Sequence, residues 1–286
     1  MKKITYLFIL FVFFYSCDKE ADVDFVSYEP KIVVEGIIEN GSYPSVLLSV
    51  SASIPGPKDT LSLLNHVIKS AKVTVSNGEK TEILMLQTNN NKMPPYEYKG
   101  REIKGEAGKT YFLQIEYGGK NITSSTTIPE LVVLDDIWFK KNYPGDTIGY
   151  IYVSFKNQSE EFYQISTSRY LKDKNFTPCL YGNIDSKVYP KNEQVSMQVN
   201  KGPVLYPKTD YKTYFKTKDT IMLKFSTQTK ESYKFWNSYQ NELLNAQNPI
   251  FPANTSLYSN IKGGAIGIWS GMSSQVYFVI PESINR

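Results

Sequence analysis

Two stretches of this chain alternate apolar and polar residues one for one: Ala71-Lys72-Val73-Thr74-Val75-Ser76 and Thr110-Tyr111-Phe112-Leu113-Gln114-Ile115-Glu116-Tyr117. Successive side chains of a strand point to opposite faces, so a period of two buries one face and wets the other. The pairs Asn40-Gly41, Asn77-Gly78 and Gly118-Gly119 separate such runs, and residues of this kind supply the positive φ that tight hairpins need. With 31–38, 45–50, 81–86, 96–98 and 121–128 counted as well, about seven short strands fall within a hundred residues, the spacing of a Greek-key sandwich. Residues 30–129 are therefore expected to form an Ig-like or transthyretin-like β-sandwich. Ile54-Pro55-Gly56-Pro57 interrupts the sheet because proline cannot donate to a ladder. Residues 61–68 read equally as a turn of helix or a packed loop.

Pro129 ends this unit, and residues 130–286 read as a second β-rich domain. Strands are expected at 131–139, 148–155, 161–171 and 220–226, then in the glycine-rich run 261–271 and at 275–280. One helix is expected near 229–247, because Tyr233, Trp236, Leu243 and Leu244 recur on one stripe. Thr227 or Thr229 can cap its start, and Asn248-Pro249 stops it. The glycines of 261–271 suggest close backbone packing under that helix. Residues 172–191 are polar and carry Pro178, Gly182 and Pro190, which predicts a long loop. Phe176, Tyr181 and Tyr189 make it a candidate contact surface. The fold class expected for the whole is all-β with one amphipathic helix.

The N-terminus has a different character. Met1 to Ile4 carry two lysines, an apolar and aromatic run follows as far as Tyr15, and Ser16-Cys17 closes the segment. The run is shorter than the roughly 20 residues that span a bilayer and has the parts of a signal peptide. Cys17 after a small residue resembles the bacterial lipobox, in which the thiol is acylated at the cleavage site, although Phe14 and Tyr15 are bulkier than that pattern's usual residues. An ordinary secretory signal with an incidental Cys is the alternative. On the lipobox reading, residues 1–16 are removed and 17–29, rich in Asp and Glu, form an acidic tether. Acidic residues in that place resemble surface-export signals, which implies a lipid-anchored protein of the outer membrane facing the exterior. Cys17 and Cys179 are the two cysteines, so lipidation of Cys17 leaves no internal disulfide.

Composition narrows the chemistry. The net charge of +4 includes Lys2 and Lys3, so loss of the leader leaves +2, which gives no electrostatic reason to expect a nucleic-acid partner. His66 is the one histidine, so a His/Cys metal cluster cannot be assembled and no metal or other cofactor is expected. No serine stands in a Gly-x-Ser-x-Gly turn, and Gly263-Gly264-Ala265-Ile266-Gly267 lacks the strand-turn-helix context of a phosphate loop. The pairs Asp135-Asp136 and Glu160-Glu161 are sequence neighbours that point to opposite faces of a strand, so neither makes an acid/base couple. No catalytic residue is assigned, and the chain is read as non-enzymatic. Asp59-Thr60, Asp146-Thr147 and Asp219-Thr220 each precede an apolar residue. They resemble the Asp-Ser/Thr-apolar acceptor for O-glycosylation, with Thr60, Thr147 and Thr220 as acceptors, and equally suit a turn entering a strand.

The leader, the opening Pro30-Lys31-Ile32-Val33-Val34-Glu35-Gly36, the entry Gly108-Lys109-Thr110-Tyr111, the boundary Thr126-Thr127-Ile128-Pro129, the helix and the ending Gly263-Gly264-Ala265-Ile266-Gly267 are found together here. As a set they resemble the DUF4249 family of Bacteroidetes outer-membrane lipoproteins. The resemblance brings no catalytic residues. It implies a neighbouring TonB-dependent outer-membrane receptor as partner, and hence an accessory role in capture of a nutrient ligand. A surface hydrolase with acid/base carboxylates in loops, and a purely structural surface module, are the alternatives.

Overall fold

The computed structural model describes residues 29–51, 64–90, 94–158, 161–202, 212–245 and 257–281. The leader, Cys17, Thr60 and all of the acidic tether but Glu29 lie outside these residues, as do the side chains of Leu243 and Leu244.

The first half contains β1 (Ile32–Glu39), β2 (Ser45–Val50), β3 (Lys72–Ser76), β4 (Thr81–Ile83), β5 (Met85–Thr88), β6 (Tyr96–Lys99), β7 (Thr110–Tyr117) and β8 (Lys120–Thr127). The alternation read from the sequence is the alternation of burial: β7 buries Tyr111, Leu113 and Ile115 and exposes Phe112, Gln114 and Glu116. Tyr117 pairs with Lys120, leaving Gly118 and Gly119 as a two-residue loop at φ 57° and 75°. Two positive φ values in succession are what a type I′ hairpin requires. The run 81–86 is not one strand. Leu84 turns into the core at 3% exposure, and there the chain leaves the sheet of β4 for the sheet of β5.

The second half contains β9 (Asp136–Lys141), β10 (Ile148–Lys156), β11 (Phe162–Arg169), β12 (Thr177–Asp185), β13 (Gln194–Val199), β14 (Phe215–Lys216), β15 (Ile221–Gln228), helix α1 (Lys230–Asn245) and β16 (Ala265–Val279). The expected loop over 172–191 contains a nine-residue strand, β12, followed by one 3-10 turn at Ser186–Val188. Its register against β11 jumps, with Asn183 opposite Gln164 but Pro178 opposite Ser166. The extra residues break the period of two, which is why a sequence reading misses this strand.

Three sheets organise these elements. An eight-stranded sheet runs β12-β11-β15-β16-β1-β2-β6-β5. One four-stranded sheet is β4-β3-β7-β8, and the other is β13-β10-β14 with β9 also on β10. The glycine-rich run and the last strand, expected to be separate, form the single 15-residue strand β16 at the centre of the large sheet. Residues Ala265 to Met272 pair in parallel with Ile32 to Glu39, and Met272 to Val279 pair antiparallel with Gln228 to Ile221. Thus β16 serves two cores. Ala265 and Trp269 lie in the first with β1, β2, β3 and β7, and Val279 lies in the second with β10, β11 and β15. The close glycine packing is against β1, not the helix. A Cβ on Gly267 would stand 1.9 Å from the carbonyl oxygen of Val34, at a φ of +126° that side chains rarely adopt.

Helix α1 lies on the opposite face of this sheet: Phe162 and Ser270 meet it, and they alternate with Tyr163 and Trp269, which face the cores. Thr229 caps the helix, its Oγ1 accepting the Ser232 amide at 3.2 Å. The buried stripe differs from the expected one. Ser232 and Phe235 are the buried positions, while Tyr233 and Trp236 are half-buried. Ser232 and Ser270 hydroxyls meet at 2.7 Å, and such small side chains let helix and strand approach closely.

Candidate functional site

Where β11 ends, the chain makes a tight turn. The Lys172 and Asp173 amides both donate to the Arg169 carbonyl, at 3.1 and 3.0 Å, and Leu171 takes a left-handed φ of 59°. The Asp173 carboxylate locks this turn, accepting the Arg169 amide at 2.8 Å and the Arg169 guanidinium through Nε and Nη2 at 2.6 to 3.1 Å. Burial alone would raise the Asp173 pKa, but these bonds from Arg169 outweigh it and hold the carboxyl below its ordinary range. Next to it Lys172 donates to Asp219 at 2.5 Å, with the Asp219 side chain only 6% exposed.

The turn forms one wall of a cleft of about 280 Å³. Thr167, Ser168 and Thr177 bring hydroxyls, buried Phe215 brings an apolar ring, and Lys201, just after β13, and exposed Lys174 complete the lining. Lys201 is half-buried, and its ammonium is pushed below the usual lysine range by burial first and by the like charge of Arg169 next. Arg169, Lys172, Lys174 and Lys201 thus line the cleft; Asp173 accepts from Arg169, Asp219 accepts from Lys172, and both carboxylates also attract Lys201. A broader hollow of about 630 Å³ surrounds the β7–β8 hairpin tip. Gly118, Gly119 and Lys120 of the hairpin help to wall it, and its Glu116 is bonded to Lys72.

The sequence-chosen contact residues do not converge on one surface. Tyr189 packs against the second core, Phe176 lies 5.9 Å below the Lys224 ammonium, and Tyr181 is 72% exposed at a φ of 60°. Thr177, Lys172, Lys174 and Asn175 from the same stretch do line the cleft, whereas Arg169 and Lys201 carried no sequence signal of their own. Of the proposed glycosylation acceptors, Thr147 is exposed and Thr220 half-buried. Their aspartates have local partners: Asp146 accepts the amides of Thr147 and Ile148, and Asp219 accepts Lys172. Cys179 is fully buried, and burial pushes its thiol up to about 12. Among the described residues no three His, Cys, Asp or Glu side chains are placed to hold a metal, and no helix is long and apolar enough to cross a membrane.

A family model described as a domain of unknown function, DUF4249, matches residues 18–277. None of the curated proteins compared with the chain matches it.

Proposed function

We propose that this chain, which belongs to the DUF4249 family, is a lipid-anchored accessory protein of the outer membrane that partners a TonB-dependent receptor and captures cargo for it without catalysis. The observation that carries the reading is the placement of the cleft relative to the chain's entry. The tether leads into β1, whose first residue pairs with Ala265. The cleft residue Arg169 is level with Ile221 and, through it, with Val279 at the other end of β16. At about 3.3 Å per residue the fourteen steps from Ala265 to Val279 span about 45 Å along the strand. The described chain thus enters at one end of β16, and Arg169, which lines the cleft, is level with the other. The family match begins at residue 18, just after Cys17, which supports reading the residues before it as a leader.

Copurification tests the partnership. Tagged wild-type chain, crosslinked in intact cells and isolated from outer membranes, is expected to bring down the receptor encoded beside it, and deletion of the chain is expected to slow that receptor's uptake. A chain found wholly in the soluble fraction, or unchanged uptake on deletion, overturns the reading.

A further inference from the structure

We propose that the end of the second half where β11 stops and β15 starts is a docking surface for a lipid bilayer rich in anionic headgroups. Hydrogen bonds gather three turns there. The Tyr170 amide donates to the Thr220 carbonyl and the Thr217 amide to the Thr147 carbonyl, both at 2.9 Å, and the Lys172 ammonium is bonded to Asp219. Turns 170–174, 217–220 and 142–147 are joined in this way. Leu171 is 87% exposed in the first and Tyr143 66% exposed in the third. They stand on separate turns and line neither hollow described above. Tyr170, Phe278 and Ile280 are exposed beside the first turn, the rings of Tyr170 and Phe278 meeting edge-on at 5.6 Å. Charge decides what such a surface meets. Residues 140–147, 169–174 and 216–219 carry seven cations and three carboxylates, a net +4. The signs are also sorted by depth: Lys172, Lys174, Lys216 and Lys218 are exposed, whereas Asp219 is buried and Asp146 and Asp173 are partly buried. Aliphatic and aromatic tips set among lysines suit the boundary between headgroups and acyl chains, where the apolar tip is buried, tyrosine sits at headgroup level and lysine meets anionic lipid. A protein partner fits less well, because lysine is depleted from protein–protein interfaces. In an anchored chain this is a second membrane contact, at the far end of β16 from the start of β1.

Vesicle flotation tests this with the purified chain from residue 18 on, which keeps every described residue and omits the apolar run that can itself enter a bilayer. The chain is expected to float with vesicles of equal parts phosphatidylcholine and phosphatidylglycerol about tenfold better than with phosphatidylcholine alone, and to be released as salt rises. Leu171→Asn keeps a residue type that tolerates the left-handed φ of 59° and is expected to weaken binding about tenfold. Lys218→Gln is expected to weaken it about fivefold, the equivalent of about 1 kcal/mol per lysine at an anionic surface. Phe112→Ser removes an equally apolar, 50% exposed ring from β7 in the first half and is expected to leave binding unchanged. No flotation with anionic vesicles, equal flotation with neutral ones, wild-type binding in both Leu171→Asn and Lys218→Gln, or an equal loss in Phe112→Ser overturns the proposal. A dimer in solution that Leu171→Asn dissociates, without flotation, gives the surface to a second copy and overturns it too. The inference goes beyond the proposed anchor and receptor and depends on neither, since the chain tested carries no acyl group and meets no receptor.

Discussion

Replacing Trp269 by alanine removes the largest side chain of the first core, although the residue lies about 140 positions beyond the last strand of that sandwich in sequence. Trp269 is fully buried against Gly36, where even a Cβ would come within 2.6 Å of its ring, and its Nε1 donates to the Tyr111 carbonyl at 3.1 Å. Truncating a buried large aromatic costs about 3–5 kcal/mol. Leaving the Tyr111 carbonyl without its donor in a dry core adds about 1 kcal/mol, so the expected loss is about 4–6 kcal/mol, a large share of the ~5–15 kcal/mol that stabilises a typical protein. Trp236→Ala is the internal control. Its side chain is half-buried and leans on Phe235 and Tyr239, and its truncation is expected to cost about 1–2 kcal/mol. Urea unfolding followed by far-UV circular dichroism reads both without relying on tryptophan emission. A Trp269→Ala midpoint close to wild type, or a Trp236→Ala loss as large as that of Trp269→Ala, would refute the shared-strand core.

The same architecture predicts that residues 30–129 expressed alone lack a cooperative thermal transition, because Ile261, Ala265 and Trp269 complete their core; a sharp transition in that fragment would refute it. Glu39 and Lys224 form an ion pair across β16, both sides about one-fifth exposed, and a double-mutant cycle with Glu39→Gln and Lys224→Met is expected to show about 1–3 kcal/mol of coupling. Burial raises the Cys179 thiol from 9.0 to about 12 and the Tyr163 hydroxyl from 10.0 to about 12. The unfolded chain therefore loses these protons first, so their contribution to stability is complete below about pH 9 and declines as pH rises toward 12. Urea midpoints between pH 7 and 11 should fall, less steeply in Cys179→Ala, and a flat profile would count against the buried thiol. If the proposed lipid anchor holds, Cys17→Ala is expected to release the protein from the membrane, because acyl chains would supply the attachment; wild-type chain that takes up no labelled fatty acid would remove that expectation.

The tight turns, most of the described strands and helix α1 were readable because each depends on neighbours within a few residues: alternation for β7, two glycines for its hairpin, Thr229 for the helix cap. Where a local pattern has two causes, reading failed. Tyr233 and Trp236 look like a core stripe, and Tyr233 does meet the sheet at Phe162, but the buried positions are Ser232 and Phe235, with Ser270 against Ser232. The cleft was legible only in part. Arg169 to Asn175 is dense in charge, yet nothing along the chain brings Lys201 to it; that follows from β13 pairing with β10 and the Leu180–Asn200 bridge to β12.

By itself, the sequence determined the all-β class, the hairpin turns and the capped helix 230–245. Only the tertiary structure decided that β16 is one strand with two partners, that Trp269 belongs to the N-terminal core, and that four cations share one cleft. Propensity and periodicity act over a turn or a strand, whereas pairing and burial select among distant segments by the apolar surface they remove from water, which no local stretch encodes.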